Sequence, residues 1–453
     1  MTKLFGSSGV RGLVNVDLTP ILACKIALAV ASYSEAKITI VARDTRTSGC
    51  MIEDALVSGL ISAGSNVLLA EKVPTPVLAY VSKLRKAEAG FMLTASHNPA
   101  PYNGIKVFNS DLSYSDIDQE AVERIVESNT YHLADWRNLG RVNHIDASRL
   151  YLEMVKKVVS LQKRWHIVVD SGCGAAFSIA PKMFKMLDCK VTALNSQPDG
   201  YFPARKSEPN AVSLENLGKI VRALGADIGI GFDGDADRVA FVDEEGDFVN
   251  LDRSLAAYCG SVLKRKGGGT IVTTIEASMC VETMASKFGG KVVRTKVGDI
   301  YVSEAIKREN AIFGGEPCGA WVHPQYHLCP DGLLSAALFL KATEIEGKTV
   351  SEFIADVPEY TTLRKSFACT NERKYQLINQ LESKLKSAFP TFVDYSSIDG
   401  SRLALKDGWL LVRASGTEPL IRLTVEGESM QVAKYIIAKA EAVITKEIES
   451  GLR

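Results

Sequence analysis

Short apolar runs and longer amphipathic stretches alternate along most of this chain. A short apolar run bounded by turn residues predicts a buried strand, and a longer stretch with helical spacing predicts a helix. In the first part of the chain the predicted strands are 38–42, 66–70, 89–93 and 104–108, and the predicted helices are 19–33, 48–63 and one that starts at 74–76. Strands that alternate with helices form a largely parallel sheet with crossover connections, and we expect such a sheet here.

The same alternation occurs twice more before the end of the chain changes character. The predicted strands are 166–169, 190–194, 228–232 and 239–242 in a second unit, with helices at 175–187 and about 214–224. In a third unit the predicted strands are 270–274, 291–294 and 312–314, with helices at 253–266, at 279–288 and from 298–299 to 309. A helix at 372–388, a hairpin at 401–414, a strand at 420–426 and a helix at 430–448 then predict an antiparallel sheet with helices. The predicted fold class is α/β: three similar mixed α/β/α domains at 1–150, 151–251 and 252–357, and a smaller C-terminal α+β domain at 358–453.

The composition is that of an ordinary globular protein without a charge bias. The 453 residues include 53 Lys and Arg and 53 Asp and Glu, so the net charge does not favour nucleic acid as a partner. The nine cysteines are scattered and form no CxxC pair, which is typical of reduced thiols inside a cell. No apolar run is long enough to span a membrane, and no secretory signal is visible at the start. We therefore expect a cytoplasmic protein without a membrane partner.

A polar loop, TASHNP at 94–99, follows the predicted strand 89–93. Small residues around Ser96 leave its hydroxyl approachable, while His97 and Lys106 could supply charge or proton transfer. Ligands of parallel sheets bind beyond the carboxyl ends of the strands, which is where Ser96 lies. Taken alone, however, the loop is better explained as a turn, because Ser, Asn and Pro favour turns for backbone reasons.

Asp233, Asp235 and Asp237 follow the predicted strand 228–232 at alternate positions. In an extended loop these carboxylates face one side, and their repulsion is costly unless a divalent cation lies among them. Mg²⁺ commonly takes few oxygen ligands from a protein and leaves its other coordination positions to water or phosphate oxygens, so three aspartates suit it. The spacing of the aspartates is not that of an EF-hand. The alternative is a solvated acidic turn, which is hard to reconcile with a position directly after a core strand.

Two further loops carry single charged residues. Glu316, in GEPCGAW after the predicted strand 312–314, could bind sugar hydroxyls or cap a helix. Arg11, in the glycine-rich FGSSGVRG near the start, could pair with a phosphate or a carboxylate. His323 and His327 lie on an irregular loop with a poor spacing for metal ligands, so we expect both to be structural.

The stretch RASGTEP at 413–419 lies between two predicted strands of the C-terminal domain. An arginine, two hydroxyls and a glycine predict a phosphate site there more readily than an ordinary hairpin loop. Together the loops that contain Ser96, the three aspartates, Glu316 and RASGTEP supply a nucleophile, a metal site, a sugar anchor and an anion anchor. That combination indicates phosphoryl transfer to a phosphorylated sugar.

TASHNP with the following YNGIK, DGDADR, GEPCG and RASGTEP, in this order over the whole chain, resemble the four signatures of the α-D-phosphohexomutase family. That family includes phosphoglucomutase, phosphomannomutase and phosphoglucosamine mutase. The resemblance implies domains around one central cleft and a Ser96 that is carried as a phosphoserine. The implied ligands are Asp233, Asp235, Asp237 and a phosphoryl oxygen on Ser96 for Mg²⁺, Glu316 for sugar hydroxyls, and Arg413, Ser415, Gly416 and Thr417 for the substrate's phosphate.

The resemblance also implies a reaction. Phosphoserine gives its phosphoryl group to the free hydroxyl of a hexose phosphate, the resulting 1,6-bisphosphate turns over in the cleft, and the other phosphate returns to Ser96. Arg11 and Arg238 would neutralise the phosphoryl group in transfer. Either His97 or Lys106 would handle the proton of the acceptor hydroxyl.

The expected substrate is glucosamine 6-phosphate, converted to glucosamine 1-phosphate, because FGSSGVRG and RASGTEP with LIRLTVEG look most like phosphoglucosamine mutases. The sugar loop departs from the family's GE-x-S-G-H pattern at two sugar-contacting positions, where Cys318 stands for serine and Ala320 for histidine. Glucose and mannose phosphates are therefore alternative substrates. A metal-dependent phosphatase and a non-catalytic sugar-phosphate binder are alternatives of another class. We expect hexose phosphates as the small-molecule partners of a monomer or homodimer.

Overall fold

Four sheets follow one another along the chain, each formed from its own segment. The structure is a computed structural model that describes residues 4–6, 9–415 and 419–450. The first three sheets mix parallel and antiparallel strands, and the fourth is antiparallel throughout. The predicted α/β class with a C-terminal α+β domain is confirmed. The sheets fall within the ranges predicted for the four domains, whose boundaries remain a prediction.

The first sheet has seven strands. They are β1 (Val10–Leu13), β2 (Ile38–Arg43), β3 (Asn66–Lys72), β4 (Ala89–Leu93), β5 (Tyr102–Asn109), β6 (Leu112–Ser113) and β7 (Val142–His144), in the order β1-β5-β4-β2-β3-β7 with β6 beside β5. The helices are α1 (Pro20–Ser34), α2 (Gly49–Ser62), α3 (Thr75–Arg85), α4 (Asp116–Ser128) and α5 (Ala147–Val158). β4 is buried along its whole length: Phe91 faces the core that contains α1 and α2, and Met92 faces the core that contains α3.

The second and third sheets have four strands each. The second has β8 (His166–Asp170), β9 (Lys190–Leu194), β10 (Ile228–Phe232) and β11 (Val239–Val242), in the order β11-β10-β8-β9, with α6 (Ile179–Met186) and α7 (Glu215–Leu224). The third has β12 (Gly269–Thr274), β13 (Gly290–Thr295), β14 (Phe313–Gly315) and β15 (Trp321–Val322), in the order β13-β12-β14-β15. Its helices are α8 (Leu251–Lys266), α9 (Cys280–Lys287), α10 (Asp299–Glu309), α11 (Gly332–Ile345) and α12 (Val350–Ala355).

The fourth sheet has five strands in the order β16-β20-β19-β18-β17. They are β16 (Thr361–Ala368), β17 (Asp394–Ser396), β18 (Ser401–Leu405), β19 (Gly408–Ala414) and β20 (Leu420–Gly427), covered by α13 (Asn371–Ala388) and α14 (Met430–Ser450). This domain has its own apolar core, whereas buried side chains of the first three units share one large cluster. The first three units are thus packed together more tightly than the fourth is packed on them.

The sequence analysis missed several elements, of which α11 is the longest. Its side chains are buried on nearly all sides, so the polar face that makes a helical period visible is absent. β16 was missed for the opposite reason, since its edge position leaves most of its residues polar and partly exposed. Both elements depend on their contacts with the rest of the fold, and the hydrophobic pattern of their own residues does not reveal them.

Candidate functional site

Ser96 lies in the serine loop (94–99), at the carboxyl end of β4. Its φ is 50°, in the left-handed region that residues with a side chain rarely adopt. The Ser96 N–H donates to Thr94 Oγ1 at 2.9 Å, and the Ser96 hydroxyl donates to Asp233 Oδ2 at 2.8 Å. His97 Nδ1 lies 3.3 Å from the same hydroxyl oxygen. The strained loop therefore directs a hydroxyl of the first domain at a carboxylate of the second.

Arg46 holds the serine loop in this conformation. A guanidinium has five N–H donors, and here Nε bonds to Asp44 while Nη1 and Nη2 bond to backbone carbonyls. The accepting carbonyls, at 2.7 to 2.9 Å, are those of Ser96, Asn98, Pro99 and Tyr102. The ring of Phe202, from the second unit, covers the guanidinium at 5.0 Å. Arg46 was not among the residues predicted for the site, although its place in the loop that follows β2, the neighbour of β4, was a usable signal.

The aspartate loop (233–237) follows β10 and forms the other half of the site. One oxygen from each of Asp233, Asp235 and Asp237 lies within 4.8 Å of the others, and all three residues are buried. The prediction of an extended loop is wrong, because Ala236 has a φ of 56° and its N–H donates to Asp233 O at 3.4 Å. Alternate side chains of an extended segment are about 7 Å apart. The turn is therefore what brings the three carboxylates together.

Lys106 lies between two of these carboxylates. Its Nζ donates to Asp235 Oδ2 at 2.7 Å and to Asp237 Oδ2 at 2.6 Å. Burial opposes the charge of Lys106, but the two carboxylates outweigh burial and raise its pKa. Burial would raise the pKa of Asp235, but Lys106 holds it below its ordinary value. Burial, followed by Asp237 and Asp235, raises the pKa of Asp233 well above its ordinary value.

The aspartate loop has the donor set of a metal site. Oδ1 of Asp235 and Oδ1 of Asp237 are buried without a hydrogen-bond partner among the described residues. A buried acceptor without a donor is unfavourable, and carboxylate oxygens are the preferred ligands of hard divalent cations. The three aspartates could therefore hold a small divalent cation.

Two arginines border the two loops. Arg11 Nη1 donates to Asn98 Oδ1 in the serine loop at 3.0 Å, and burial lowers the pKa of Arg11. The N–H of Arg238 donates to Asp233 Oδ1 at 3.2 Å, and its Nε lies 3.9 Å from Asp237 Oδ1. Both predicted cationic residues thus lie next to the serine and aspartate loops.

His97 is held as a neutral imidazole near the same loops. Burial, followed by the charges of Arg238 and Arg11, lowers its pKa to about 3. Lys106 and His97 therefore differ in charge at neutral pH, because Lys106 is bound to two carboxylates and His97 faces two arginines.

Glu316 lies in the glutamate loop (315–320), at the carboxyl end of β14, and is buried. Its Oε2 accepts a hydrogen bond at 3.0 Å from the N–H of Gly298, the residue that precedes α10. Burial, followed by Asp299, raises the pKa of Glu316 to about 7. Burial also raises the pKa of the Cys318 thiol to about 12, so this thiol is neutral at physiological pH. Ala320 is buried in the same turn and its carbonyl accepts the N–H of Glu316 at 2.9 Å.

The arginine loop (413–419) is only partly described. Arg413 is held by two carboxylates: its Nη2 lies 2.5 Å from Glu276 Oε1 in the third unit, and its Nη1 lies 3.2 Å from Asp399 Oδ2. Ser415 is buried, and its N–H donates to Leu420 O at 2.9 Å. Gly416 and Thr417 lie outside the described residues.

The amino terminus of α11 supports the aspartate loop from the third unit. The N–H of Gly332 donates to Ala236 O at 3.1 Å. Asp331, directly before Gly332, caps α11 and accepts hydrogen bonds from Tyr151 and His327. The two histidines that we expected to be structural are buried. Nε2 of His327 is hydrogen-bonded to Asp331, and Nε2 of His323 is hydrogen-bonded to Ser335. The sequence analysis did not foresee this network.

The serine, aspartate and glutamate loops come together from three different units. The serine and aspartate loops meet at Ser96 and Asp233, and the N–H of Val239, just after the aspartate loop, donates to Gly319 O in the glutamate loop at 3.1 Å. The arginine loop contacts the third unit at Glu276. A hydroxyl, a cluster of carboxylates and several cations around one point are the groups of a phosphoryl-transfer enzyme.

Comparisons with known protein families place the chain within this class. Four family models match in chain order: phosphoglucomutase/phosphomannomutase α/β/α domain I at 2–132, domain II at 149–246, domain III at 251–360 and the C-terminal domain at 366–443. A probable phosphoglucosamine mutase of Pyrococcus horikoshii is 39% identical over 99% of both chains. Another, from Methanothermobacter thermautotrophicus, is 41% identical over 96% of both chains. The chain belongs to the phosphoglucomutase/phosphomannomutase family.

Solved structures agree with this family membership. A phosphoglucomutase/phosphomannomutase family protein from Burkholderia thailandensis has a TM-score of 0.90 and 25% identity, over 99% of this chain and 98% of that one. An N-acetylphosphoglucosamine mutase from Aspergillus fumigatus, in complex with GlcNAc-6P and magnesium, has a TM-score of 0.59 and 14% identity, over 98% of this chain and 96% of that one. The second likeness concerns the fold alone.

Family membership makes the chain a phosphohexomutase, which is an isomerase that moves a phosphoryl group within a hexose phosphate. In the part of the chain that the structure describes, no helix is long and apolar enough to cross a membrane.

Proposed function

We propose that this chain interconverts glucosamine 6-phosphate and glucosamine 1-phosphate. The substrate is supported by the full-length relatives at 39% and 41% identity, which are named probable phosphoglucosamine mutases. The observation that carries the proposal is the 2.8 Å contact of the Ser96 hydroxyl with Asp233, one of three clustered aspartates from another unit. A hydroxyl so placed can carry a phosphoryl group next to a metal site.

Ser96 is the proposed phosphoryl carrier, and Mg²⁺ is the proposed cofactor. Asp233, Asp235 and Asp237 would hold Mg²⁺ together with a phosphoryl oxygen on Ser96. The two carboxylate oxygens that have no hydrogen-bond partner among the residues described support this ligand set. When bound, Mg²⁺ supplies positive charge that offsets the charge of the phosphoryl group. Arg11 and Arg238 supply further positive charge from the protein itself.

The reaction consists of two transfers, in which Ser96 Oγ is first the leaving atom and then the attacking atom. First, the C1 hydroxyl oxygen of glucosamine 6-phosphate bonds to the phosphorus on Ser96, the bond between phosphorus and Ser96 Oγ breaks, and the C1 hydroxyl proton passes to the protein. The product is glucosamine 1,6-bisphosphate, which turns round in the cleft. Ser96 Oγ then attacks the 6-phosphate, the bond to the C6 oxygen breaks, and that oxygen takes up the proton. Glucosamine 1-phosphate leaves, and Ser96 is again phosphorylated.

Two residues are candidates for handling the proton, His97 and Lys106. His97 Nδ1 lies 3.3 Å from Ser96 Oγ, and Lys106 Nζ donates to Asp235 and Asp237. The neutral His97 can accept the proton of the C1 hydroxyl, whereas the protonated Lys106 can give a proton to the leaving oxygen.

The proposed substrate contacts come from the other two loops. Glu316 and Cys318 would contact the sugar, supported by their position beside Arg238, where Glu316 is buried and Cys318 is half-buried. The phosphate that is not being transferred would bind to the arginine loop, through Arg413, Ser415, Gly416 and Thr417. A phosphate can be recognised there whichever carbon bears it, since the loop binds phosphate oxygens and not the sugar ring.

The glutamate loop favours a second candidate substrate. Cys318 and Ala320 differ from the family's serine and histidine, and the buried Ala320 offers no side-chain hydrogen bond to a sugar. Glucose 6-phosphate and mannose 6-phosphate are therefore the alternative substrates of the same chemistry.

We also propose domain boundaries, a cellular compartment and an oligomeric state for this chain. We place the domain boundaries at residues 150, 251 and 357, between the four sheets. The nine cysteines are all free thiols, which supports a reducing compartment, and we place the protein in the cytoplasm as a monomer or homodimer.

The decisive experiment is an assay of the purified chain with glucosamine 6-phosphate, Mg²⁺ and a trace of the 1,6-bisphosphate. We expect bisphosphate to stimulate formation of glucosamine 1-phosphate without net release of inorganic phosphate. Ser96→Ala should lose the phosphoryl mass and lower turnover by roughly three orders of magnitude or more, while Ser58→Ala on the exposed face of α2 should match the wild type. Release of phosphate without isomerisation would instead establish a phosphatase.

The substrate is tested by comparing kcat/KM for glucosamine, glucose and mannose 6-phosphates. A preference for glucosamine 6-phosphate of at least about tenfold is expected, since a site that pairs a polar substituent discriminates by more than about 1 kcal/mol. A higher kcat/KM for glucose or mannose 6-phosphate would transfer the proposal to that substrate.

A further inference from the structure

Thr75, the first residue of α3, contacts the aspartate loop at two points. Its N–H donates to Asp235 O at 3.0 Å, and its hydroxyl donates to Asp235 Oδ2. Thr75 is 1% exposed, and 160 positions separate it from Asp235 in the chain. A helix that begins in the first unit is therefore anchored directly on the carboxylate cluster of the second.

The amino terminus of a helix suits this position. The first N–H groups of α3 have no partner within the helix, and the helix dipole places partial positive charge at this end. Pro74, which precedes Thr75, makes no side-chain cap to α3. Thr75 thus offers both its backbone N–H and its hydroxyl to Asp235, so the end of α3 offsets some of the repulsion among the three aspartates.

The two contacts determine which oxygen of Asp235 is free. Oδ2 accepts hydrogen bonds from Thr75 Oγ1 and from Lys106 Nζ, and the carbonyl of Asp235 is held by Thr75 N. The carboxylate cannot rotate without breaking its two hydrogen bonds at Oδ2. Its Oδ1 is the oxygen left buried without a hydrogen-bond partner within the described part of the chain, as is Oδ1 of Asp237. Groups that hydrogen-bond to metal ligands in this way orient them and raise metal affinity.

We infer that Thr75 is a positioning residue, whose hydroxyl turns Asp235 Oδ1 toward the divalent cation. This inference rests on the metal site of the proposed function and adds a residue to it. Thr75 itself contacts neither the cation nor the substrate. Thr75 acts through Asp235, and so loss of the Thr75 hydroxyl should weaken metal binding.

The experiment measures the dissociation constant of Mn²⁺, by electron paramagnetic resonance, for the full chain stripped of metal by a chelator. Thr75→Val keeps the volume and the N–H but lacks the hydroxyl, and we expect about 10- to 100-fold weaker Mn²⁺ binding. Thr75→Ser retains the hydroxyl and should bind Mn²⁺ within about threefold of the wild type. The matched control is Thr343→Val, which removes a buried hydroxyl that bonds to Phe339 O at 2.9 Å and should leave Mn²⁺ binding unchanged.

The outcomes separate this inference from the proposal on which it rests. Mn²⁺ binding to Thr75→Val that equals the wild type overturns the role of Thr75 and leaves the metal site standing. A wild-type chain that binds Mn²⁺ no better than Asp237→Asn overturns the metal site and the role of Thr75 together. Circular dichroism establishes that each variant is folded, and Thr75→Ala, with the same expected loss, replaces Thr75→Val if the valine does not fit.

Discussion

Glu316 is a carboxylate enclosed by three charged neighbours from two units. Asp299 at the start of α10 and Asp237 in the aspartate loop disfavour its negative charge, while Arg238 favours it. Burial is the largest effect, and the outcome is a pKa of about 7 in place of the ordinary 4.5. Below about pH 4.5 the residue is protonated in both the folded and the unfolded chain. Between the two values the folded chain alone binds the proton, so the free energy of unfolding falls as the pH rises.

We expect Glu316→Gln to make the unliganded chain more stable at pH 8. A neutral amide avoids burying the charge, and a shift of this size corresponds to a gain of at most about 3 kcal/mol above pH 7. The gain should shrink through the interval from pH 7 to 4.5 and disappear below it. Urea unfolding at several pH values measures it. Glu120→Gln, on an exposed site of α4, is the control and should leave the free energy of unfolding unchanged at every pH. Equal stability of Glu316→Gln and wild type at pH 8 contradicts the raised pKa.

At the scale of elements, the site depends on how closely the serine and aspartate loops approach each other. A Cβ at Gly234 would lie 2.4 Å from Ser96 O, and a Cβ at Gly174 would lie 2.6 Å from Gly234 O. Both glycines are therefore needed because backbone from another segment occupies the place of a side chain. The contact sets the distance between the Ser96 hydroxyl and Asp233.

Gly234→Ala should separate the two loops. The added methyl group has to displace Ser96 O, and we expect turnover to fall at least tenfold with a loss of about 1–3 kcal/mol in the free energy of unfolding. Steady-state kinetics and thermal unfolding measure the two effects. The matched control is Gly225→Ala: Gly225 has a φ of 54°, but a Cβ there would have no atom of the described residues within 4 Å. It should cost about 1 kcal/mol of stability through backbone strain and leave turnover intact. Full turnover in Gly234→Ala would show that the loops need not be this close.

At the scale of the whole molecule, the C-terminal domain rests on the third unit through a small interface. Ile275 packs with Trp409 and Leu411, and Glu426 of β20 accepts hydrogen bonds from Met279 N at 2.8 Å and Trp409 Nε1 at 2.9 Å. Beside these contacts, Arg413 is bound to Glu276 of the third unit. A phosphate that binds to Arg413 therefore competes with this carboxylate, and with Asp399, for the guanidinium.

Glu276→Gln should strengthen phosphate binding by the arginine loop. A neutral amide competes for the guanidinium less well than a carboxylate does. After allowance for solvent screening, this difference corresponds to an affinity for phosphate that is about three- to tenfold higher. We expect the inhibition constant of inorganic phosphate, and the KM of the sugar phosphate, to fall by this factor. Glu309→Gln makes the same change in net charge at the end of α10, beside Arg308, and serves as the control. Inhibition by inorganic phosphate that is unchanged or weaker in Glu276→Gln would contradict the competition.

The hydrophobic pattern predicted most of the strands and helices of the three mixed domains, because their apolar runs differ sharply from the polar turns between them. It also predicted the C-terminal hairpin and closing helix. α11 was not predictable in this way, since a helix that is buried on nearly all sides has no polar face from which to read a period. The four loops were predictable because each combines a chemically specific set of residues with the end of a strand.

The amino-acid sequence by itself determined the fold class, the order of the loops and the residue types that each loop brings to the site. These follow from local sequence patterns, which can be recognised without knowledge of the tertiary contacts. Only the tertiary structure decided that Arg46 holds the serine loop, that Thr75 donates a hydrogen bond to Asp235, and that Arg413 is bound to Glu276. Each of these contacts joins segments that are far apart in the chain. The partner of a charged group or hydroxyl depends on which groups the packed domains bring within hydrogen-bond distance and on how deeply they are buried.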